Sequence, residues 1–402
     1  MKTIIISKEL SEAAEILKHG GLVGVPTETV YGLAGNGLDE NAVHQIYEVK
    51  GRPEVKPLAL MVPDAGEMEK YCEDVPESAR ALAARFWPGP LSIVLKAKCD
   101  LVPAIVRAGG DTVSLRCPDH ALTLEALRLA GIPFAAPSAN PSGQPSPKTA
   151  QEVYAYFDGV IDAVIDGGEC GLGRESTILD MSKTPYRVLR QGALPREEIE
   201  AALIESLRVI GLTGPSGAGK TTALDALREQ GALVLDCDAV YHELLHSDTA
   251  LPDAIGEAFP GTVKDGALDR KALGAIVFSD AEKLETLNGL THRFILREIE
   301  RRLRAFAMEG GRLAALDAVE LVSSGLAERC DLTIGVLADE QTRVQRIMVR
   351  DGISREAALL RVKAQKPDSY YRKHCDRVIE NNGDPEHFAN ILKQLLEEAD
   401  NG

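Results

Sequence analysis

The sequence predicts two α/β units carried on one chain. Three observations predict it: strand-like apolar runs alternate with helix-like stretches, the motifs change character near Ser206, and 402 residues exceed one ordinary fold unit. At about 150 residues per domain, the length corresponds to two or three domains. Hydrophobic residues make up 45% and charged residues 26%, a globular balance that argues against disordered or fibrous classes. The boundary falls where helical, polar EEIEAALIES (Glu197 to Ser206) meets strand-like LRVIGL (Leu207 to Leu212), giving units 1–206 and 207–402.

In the first unit, IIIS (Ile4 to Ser7) reads as a strand leading into a helix with Ser7 as N-cap and Gly20-Gly21 as the stop. The strand LVGVP follows, then PTETVYGLAG as a loop, then a helix capped by Asp39 that presents Ala42, Val43, Ile46 and Tyr47 on one face. LALMV, LSIVL and TVSLR add further strands, and loops after strands are where such folds place ligands. Lys50, Arg52 and Lys56 cluster among prolines, and Arg116 and Arg190 follow strand-like runs; five cations so placed suggest a triphosphate pocket. Ser138, Asn140, Ser176 and Thr177 offer hydroxyls and an amide beside glycines and prolines, the chemistry of a stiff loop recognising a nucleotide or an amino acid, although each alone is more often a turn former. G-x-S-x-G, H-E-x-x-H and a plausible cysteine nucleophile are all missing from the sequence, so covalent and zinc chemistry are unsupported.

In the second unit, LRVIGL, ALVLD, LAALD and LTIGVL alternate with helical stretches, the rhythm of a doubly wound parallel sheet. Between the first strand and its helix stands Gly214-Pro215-Ser216-Gly217-Ala218-Gly219-Lys220-Thr221, the G-x-x-x-x-G-K-[ST] phosphate loop, with Thr222 next. Glycines let backbone N–H groups curl round phosphates, the following helix turns its positive end to the anion, Lys220 neutralises the β and γ oxygens, and Thr221 supplies a hydroxyl to Mg²⁺. The loop by itself does not separate ATP from GTP. Asp317, ending LAALD, suits a water-bridged Mg²⁺ contact or a helix cap. Asp236 and Asp238 end ALVLDCD; Asp238 is the candidate general base, and helix capping is the competing role for both. Arg343, Arg346 and Arg350 share a helix face, with Arg355 and Arg361 following. They form either an arginine lid in which Arg346 is catalytic, or a solvated face pairing with Asp339, Glu340 and Asp351.

From Leu207 onward the sequence resembles the dephospho-CoA kinases, through GPSGAGKTT, LDCDAV, DGALDRKAL, LNGLTHRFI with His292, RIMVRDGIS and VIENNG. The resemblance implies a kinase with a helical lid that transfers phosphate from ATP to the ribose 3′-hydroxyl of dephospho-CoA, with Asp238 deprotonating that hydroxyl. It implies ATP binding by Gly214, Gly217, Ala218, Gly219, Lys220, Thr221, Thr222 and Arg346, and Mg²⁺ at Thr221 and Asp317. The chain departs from the family's pattern in reading His292-Arg293 for His-Pro, and Ser323 where that pattern carries an acidic residue; Glu320 lies nearby in a different register.

Residues 5–203 resemble the threonylcarbamoyl-AMP synthases, through PTETVYGL, KGRPEVKPL, SLRCP, PSANPSG, STILD and LRQGA. This resemblance implies a twisted α/β sheet with a basic concavity that converts L-threonine, bicarbonate and ATP into threonylcarbamoyl-AMP and pyrophosphate, from which other proteins modify tRNA. Thr27, Lys50 and Ser176 would contact threonine or its carbamate. Arg52, Lys56, Arg116, Ser138, Asn140 and Arg190 would hold the nucleotide. Met61 stands where part of that family has a histidine.

A net charge of −16 argues against stable DNA binding. The longest apolar run, Leu58 to Val62, is far short of a membrane span, and MKTIIISKELSEAAE does not read as a secretory signal, so the expected location is the cytoplasm. Seven cysteines without a C-x-x-C pair read as reduced packing residues. The leading expectation is a fusion of two cytoplasmic ATP-using enzymes; the competing one is an RNA-binding N-terminal module tethered to a P-loop kinase of another small acceptor.

Overall fold

The computed structural model describes residues 2–247, 249–264, 267–383 and 385–400. They divide into two compact units, the first running to Ser206 and including Met308–Gly310, the second covering Leu207–Ala307 and the chain from Gly311 onward.

The first unit is built on a mixed sheet of ten strands among the described residues: β1 (Ile4–Ile6), β2 (Val23–Val25), β3 (Gly32–Asn36), β4 (Ala59–Met61), β5 (Leu91–Lys96), β6 (Thr112–Arg116), β7 (Phe134–Ala135), β8 (Ala163–Ile165), β9 (Thr177–Asp180) and β10 (Arg187–Arg190). Their spatial order is β1-β8-β2-β3-β7-β4-β6-β5-β9-β10. Helices cover the apolar strands: Leu10–Lys18 buries Leu10, Ala13, Ala14 and Leu17, and Glu40–Lys50 buries Ala42, Val43, Ile46 and Tyr47. Burying each large aliphatic side chain contributes about 1.5–3 kcal/mol before entropic costs. The second of these helices starts where Asp39 accepts from the Asn41 amide at 2.9 Å and stops at Gly51, whose φ of 58° suits glycine.

Two local expectations are corrected. Ser7 does not cap the first helix, which begins at Leu10 behind Glu9 with no side-chain cap; residues 7 and 8 instead form the bend that takes the chain out of β1. The stretch read as a loop through Gly35 contains β3, antiparallel to both β2 and β7. Its glycines look like loop residues because the packing is close: a Cβ on Gly35 would press within 3.0 Å of both Ile46 and Leu22.

The second unit holds a parallel sheet of β11 (Arg208–Thr213), β12 (Leu233–Asp236), β15 (Leu313–Asp317), β16 (Leu332–Leu337) and β17 (Arg377–Glu380), ordered β12-β15-β11-β16-β17, with a small hairpin of β13 (Val263–Lys264) and β14 (Ala267–Leu268). Ile210, Leu212, Ile334, Val336 and Ile379 pack against Ala223 and Leu227 of the helix Lys220–Glu229 and against Phe388 and Leu392 of the helix Pro385–Asp400. Because β11, β12 and β15 run parallel in near register, their carboxyl ends bring the phosphate loop, Asp236 and Asp317 to one edge of the sheet.

Among the described residues no helix is long and apolar enough to cross a membrane. All seven cysteines are free, and burial pushes Cys72, Cys237 and Cys330 up to about 12, which makes them poor nucleophiles.

Candidate active sites

The phosphate loop leaves β11 through three glycines with positive φ: Gly214 (148°), Gly217 (80°) and Gly219 (92°). Besides the strained φ, a Cβ on each would collide with Val336 O, Arg343 O and the Asn381 amide respectively, so the backbone itself forms the cradle. Pro215, Ser216, Gly217, Gly219, Lys220, Thr221, Asp317, Arg346 and Arg350 line one cavity. Ala218 is fully buried beneath it, and the Thr222 amide bonds back to Gly219 O at 3.2 Å, opening the helix.

The expected arginine lid splits into distinct parts. Arg343 is buried, donating to Ser216 O at 3.2 Å and to Gln365 Oε1 at 2.9 Å. Arg346 donates to Gly217 O at 3.3 Å and Ala218 O at 3.1 Å while lining the cavity. Arg350 also lines the cavity, yet it and Arg361 pair with Asp351 as in the solvated-face reading. Asp339 is a helix cap, accepting from the Thr342 amide at 2.8 Å. Asn381, in VIENNG, is buried and donates to Ala218 O at 3.0 Å. Gln365 and Asn381 were missed as loop supports, because nothing in local spacing ties them to residues more than a hundred positions away.

Asp317 lies 3.7 Å from the Lys220 ammonium, and its Oδ1 is buried without a hydrogen-bond partner. Burial pushes its carboxyl up to about 6 against the opposing pull of Lys220. A buried carboxylate oxygen without a donor, in a cavity that Thr221 also lines, is chemically suited to a hydrated divalent cation on a nucleotide.

A second cavity is lined by Cys237, Asp238, His292, Ile295, Leu296, Ala318, Val319, Glu320, Ser324 and Leu326. Asp236 and Asp238 separate in role: Asp236 caps the helix Cys237–Ser247, accepting from the amides of Asp238 at 2.9 Å and Ala239 at 3.1 Å, whereas the Asp238 carboxylate is exposed and faces the cavity. Glu320 accepts from Lys366 at 2.7 Å and from the Ser323 hydroxyl. Burial would raise its carboxyl, but Lys366 and Ser323 outweigh this and hold it below the usual range.

In the first unit, Arg52, Arg116, Ser138, Ser176 and Arg190 converge on one cavity together with Thr29, Tyr31, Met61, Ser92 and Glu175. Arg116 is buried, donating to Gly89 O at 3.2 Å and Thr29 Oγ1 at 2.9 Å, with Glu28 at 2.8 Å. Arg190 holds Ser176 O at 2.8 Å, and the Ser176 hydroxyl meets that of Ser92 at 2.8 Å. The Ser146 hydroxyl, ahead of the neighbouring arginines, keeps Glu175 below the usual carboxylate range.

Thr27, Lys50, Lys56 and Asn140 are not on the cavity wall. Thr27 is buried and bonds Val30 O at 2.7 Å, shaping the loop before Thr29. The Lys50 ammonium is buried between the carbonyls of Ser138 and Asn140. Asn140 holds Gln144 O at 2.7 Å and receives the Ser138 hydroxyl at 2.6 Å, and Lys56 is exposed. Of the five cations, then, three arginines face the cavity, and one lysine braces its wall from behind. Thr29 and Glu175 were missed although each lies within two residues of a predicted position.

Residues 15–192 match the family model described as Telomere recombination (Sua5/YciO/YrdC), and residues 208–386 match the one described as Dephospho-CoA kinase. A dephospho-CoA kinase of Geobacter sulfurreducens is 36% identical over 191 residues, 47% of this chain and 97% of that one. Through its second unit this chain belongs to the dephospho-CoA kinase family. The first unit is a Sua5/YciO/YrdC domain, similar to threonylcarbamoyl-AMP synthases of Pyrococcus abyssi (48% identical over 193 residues) and Bacillus subtilis (44% over 195), in both cases over 48% of this chain. The chain spans 56% of the length of each of those two synthases. A solved P. abyssi Sua5 complexed with L-threonine aligns at 31% identity over 82% of this chain and 96% of that one, with a TM-score of 0.49. One domain similar to threonylcarbamoyl-AMP synthases and one of the dephospho-CoA kinase family are thus joined in one polypeptide.

Proposed function

We propose that this chain is a bifunctional enzyme that makes threonylcarbamoyl-AMP from L-threonine, bicarbonate and ATP in its first unit, and CoA from dephospho-CoA and ATP in its second. The observation that supports this best is that each unit owns an anion-binding cavity built from its own motif residues, one around Arg52, Arg116 and Arg190, the other on the phosphate loop.

In the kinase unit the backbone amides of the loop, Lys220 and Arg346 hold the ATP phosphates. Asp238 takes the proton of the acceptor's 3′-hydroxyl as that oxygen attacks the γ-phosphorus, and the bond to the β,γ-bridging oxygen breaks to release ADP. Thr221, with Asp317 through water, would hold Mg²⁺, which offsets phosphate charge when bound. Lys220 and Arg346 stabilise the charge on the transferring group because the loop fixes them before reaction.

In the synthase unit the threonine amine attacks the carbon of bicarbonate, from which water leaves, or of CO₂, with the amine proton passing to solvent. The resulting carbamate oxygen then attacks the α-phosphorus, and the bond to the α,β-bridging oxygen breaks to expel pyrophosphate. Arg52, Arg116 and Arg190 neutralise the triphosphate, with Ser138 and Ser176 as hydroxyl contacts to the nucleotide and to threonine. Thr27, Lys50 and Asn140 act by fixing the 27–30 and 138–140 segments, and Lys56 serves the nucleotide from the exposed 53–57 turn. Proximity and electrostatics carry this step, since it needs no side-chain nucleophile. The product would pass to tRNA-modifying proteins, with the cytoplasm as the compartment.

The test is chromatography of products after incubating the purified chain with Mg-ATP, once with dephospho-CoA and once with threonine and bicarbonate. ADP with CoA in the first tube and threonylcarbamoyl-AMP with pyrophosphate in the second are expected. Absence of either pair removes the corresponding half of the reading.

A further inference from the structure

Two neighbouring residues between the helices Arg355–Lys363 and Asp368–His374 bond to residues that line two different cavities. Gln365 Oε1 accepts from the Ser216 amide at 2.7 Å and from Arg343 at 2.9 Å, so it is bonded directly to the phosphate loop. The next residue, Lys366, donates to Glu320 Oε2 at 2.7 Å, and its ammonium lies 4.5 Å from the centroid of the Tyr370 ring. Glu320 lines the second cavity together with Asp238 and His292.

A stability role explains this arrangement poorly. The Lys366 and Glu320 side chains are 35% and 56% exposed, and ion pairs that open to solvent add little to folding. What the pair does is geometric. Glu320 is tied from two sides, by Lys366 and by the Ser323 hydroxyl, and Lys366 is itself steadied over an aromatic face. Consecutive Cα atoms are only about 3.8 Å apart, so Gln365 and Lys366 share one short backbone segment, and a continuous series of bonded contacts runs from Ser216 to Glu320.

We propose that Gln365 and Lys366 form a strap that holds the acceptor cavity in register with the phosphate loop, with Lys366 a positioning residue that sets where the Glu320 carboxylate meets the phosphoryl acceptor. This rests on the reading that the cavity of Asp238, His292 and Glu320 takes the acceptor. It gives Glu320 a recognition role supported by a side chain 46 positions away.

The test uses the full chain and the variants Lys366→Met and Lys366→Arg. With dephospho-CoA as acceptor, Lys366→Met raises the acceptor KM about tenfold while the ATP KM moves less than about twofold, and Lys366→Arg restores most of the loss. A merely structural role would instead raise both KM values together and lower the melting temperature. The second readout needs no turnover. The Ser324 amide bonds to Glu320 O at 2.8 Å, and ADP is expected to slow amide exchange across 319–324 in the parent chain and in Lys366→Arg but not in Lys366→Met. Unchanged acceptor KM in Lys366→Met, or ADP protection of 319–324 that survives that substitution, overturns the strap. If the parent chain makes no CoA, the proposed kinase reaction falls while the exchange measurement still decides the strap.

Discussion

Lys50 is only 4% exposed, and burial pulls its ammonium down to about 8, well below the ordinary lysine range. An unfolded lysine keeps its proton to about 10.4, so between about pH 8 and 10 the unfolded chain binds more protons and the folded state gains stability as pH rises. Below about pH 8 the cost of the buried charge is present in full. Measured against Lys50→Met by thermal unfolding, the parent chain is therefore expected to gain on the order of 2 kcal/mol across that interval. Asp238 poses a kinetic question instead, because its carboxylate faces the second cavity while Asp236 does the capping. Asp238→Asn should lower kcat for CoA formation by about 10²–10⁴ with ATP binding retained, read by steady-state kinetics and nucleotide titration. Spacing found both residues but could not give their orientation. A lysine that ends a helix looks the same in sequence whether its ammonium reaches a cavity or two loop carbonyls.

At the scale of elements, the phosphate loop was legible because its function uses contiguous backbone atoms, which one short motif must supply. Its supports were only partly legible: Arg343 reads as a lid residue rather than a brace, Gln365 and Asn381 carry no local signal, and the three come from separate segments that meet only when the sheet forms. Asn381→Ala leaves Ala218 O without its 3.0 Å donor, and the ATP KM is expected to rise about tenfold with little change in kcat, checked by varying ATP at saturating acceptor. β3 escaped notice for a related reason. Glycine signals a turn in isolation, but here it marks a strand pressed close to the helix Glu40–Lys50.

For the molecule as a whole, the alternation of strands and helices and the position of the motifs were enough to read two α/β units, since each motif family stays on its own side of Ser206. The wall of the first cavity was only partly legible, because it draws on segments from Thr29 to Arg190. No lining residue is shared between that cavity and the phosphate-loop cavity. Lys220→Ala is accordingly expected to abolish ADP and CoA formation while pyrophosphate release from threonine, bicarbonate and ATP continues at the parent rate, both followed on one preparation.

The place of β8 between β1 and β2 has a consequence for how the protein is made. Val23 pairs with Ala163, so an early strand must wait for a partner about 140 residues later in the chain. At roughly 5–20 residues per second on the ribosome, its open edge goes unpaired for on the order of ten seconds. During that interval the apolar Val23–Val25 edge is a template for other nascent chains, which makes crowded synthesis a condition under which this fold is exposed to aggregation.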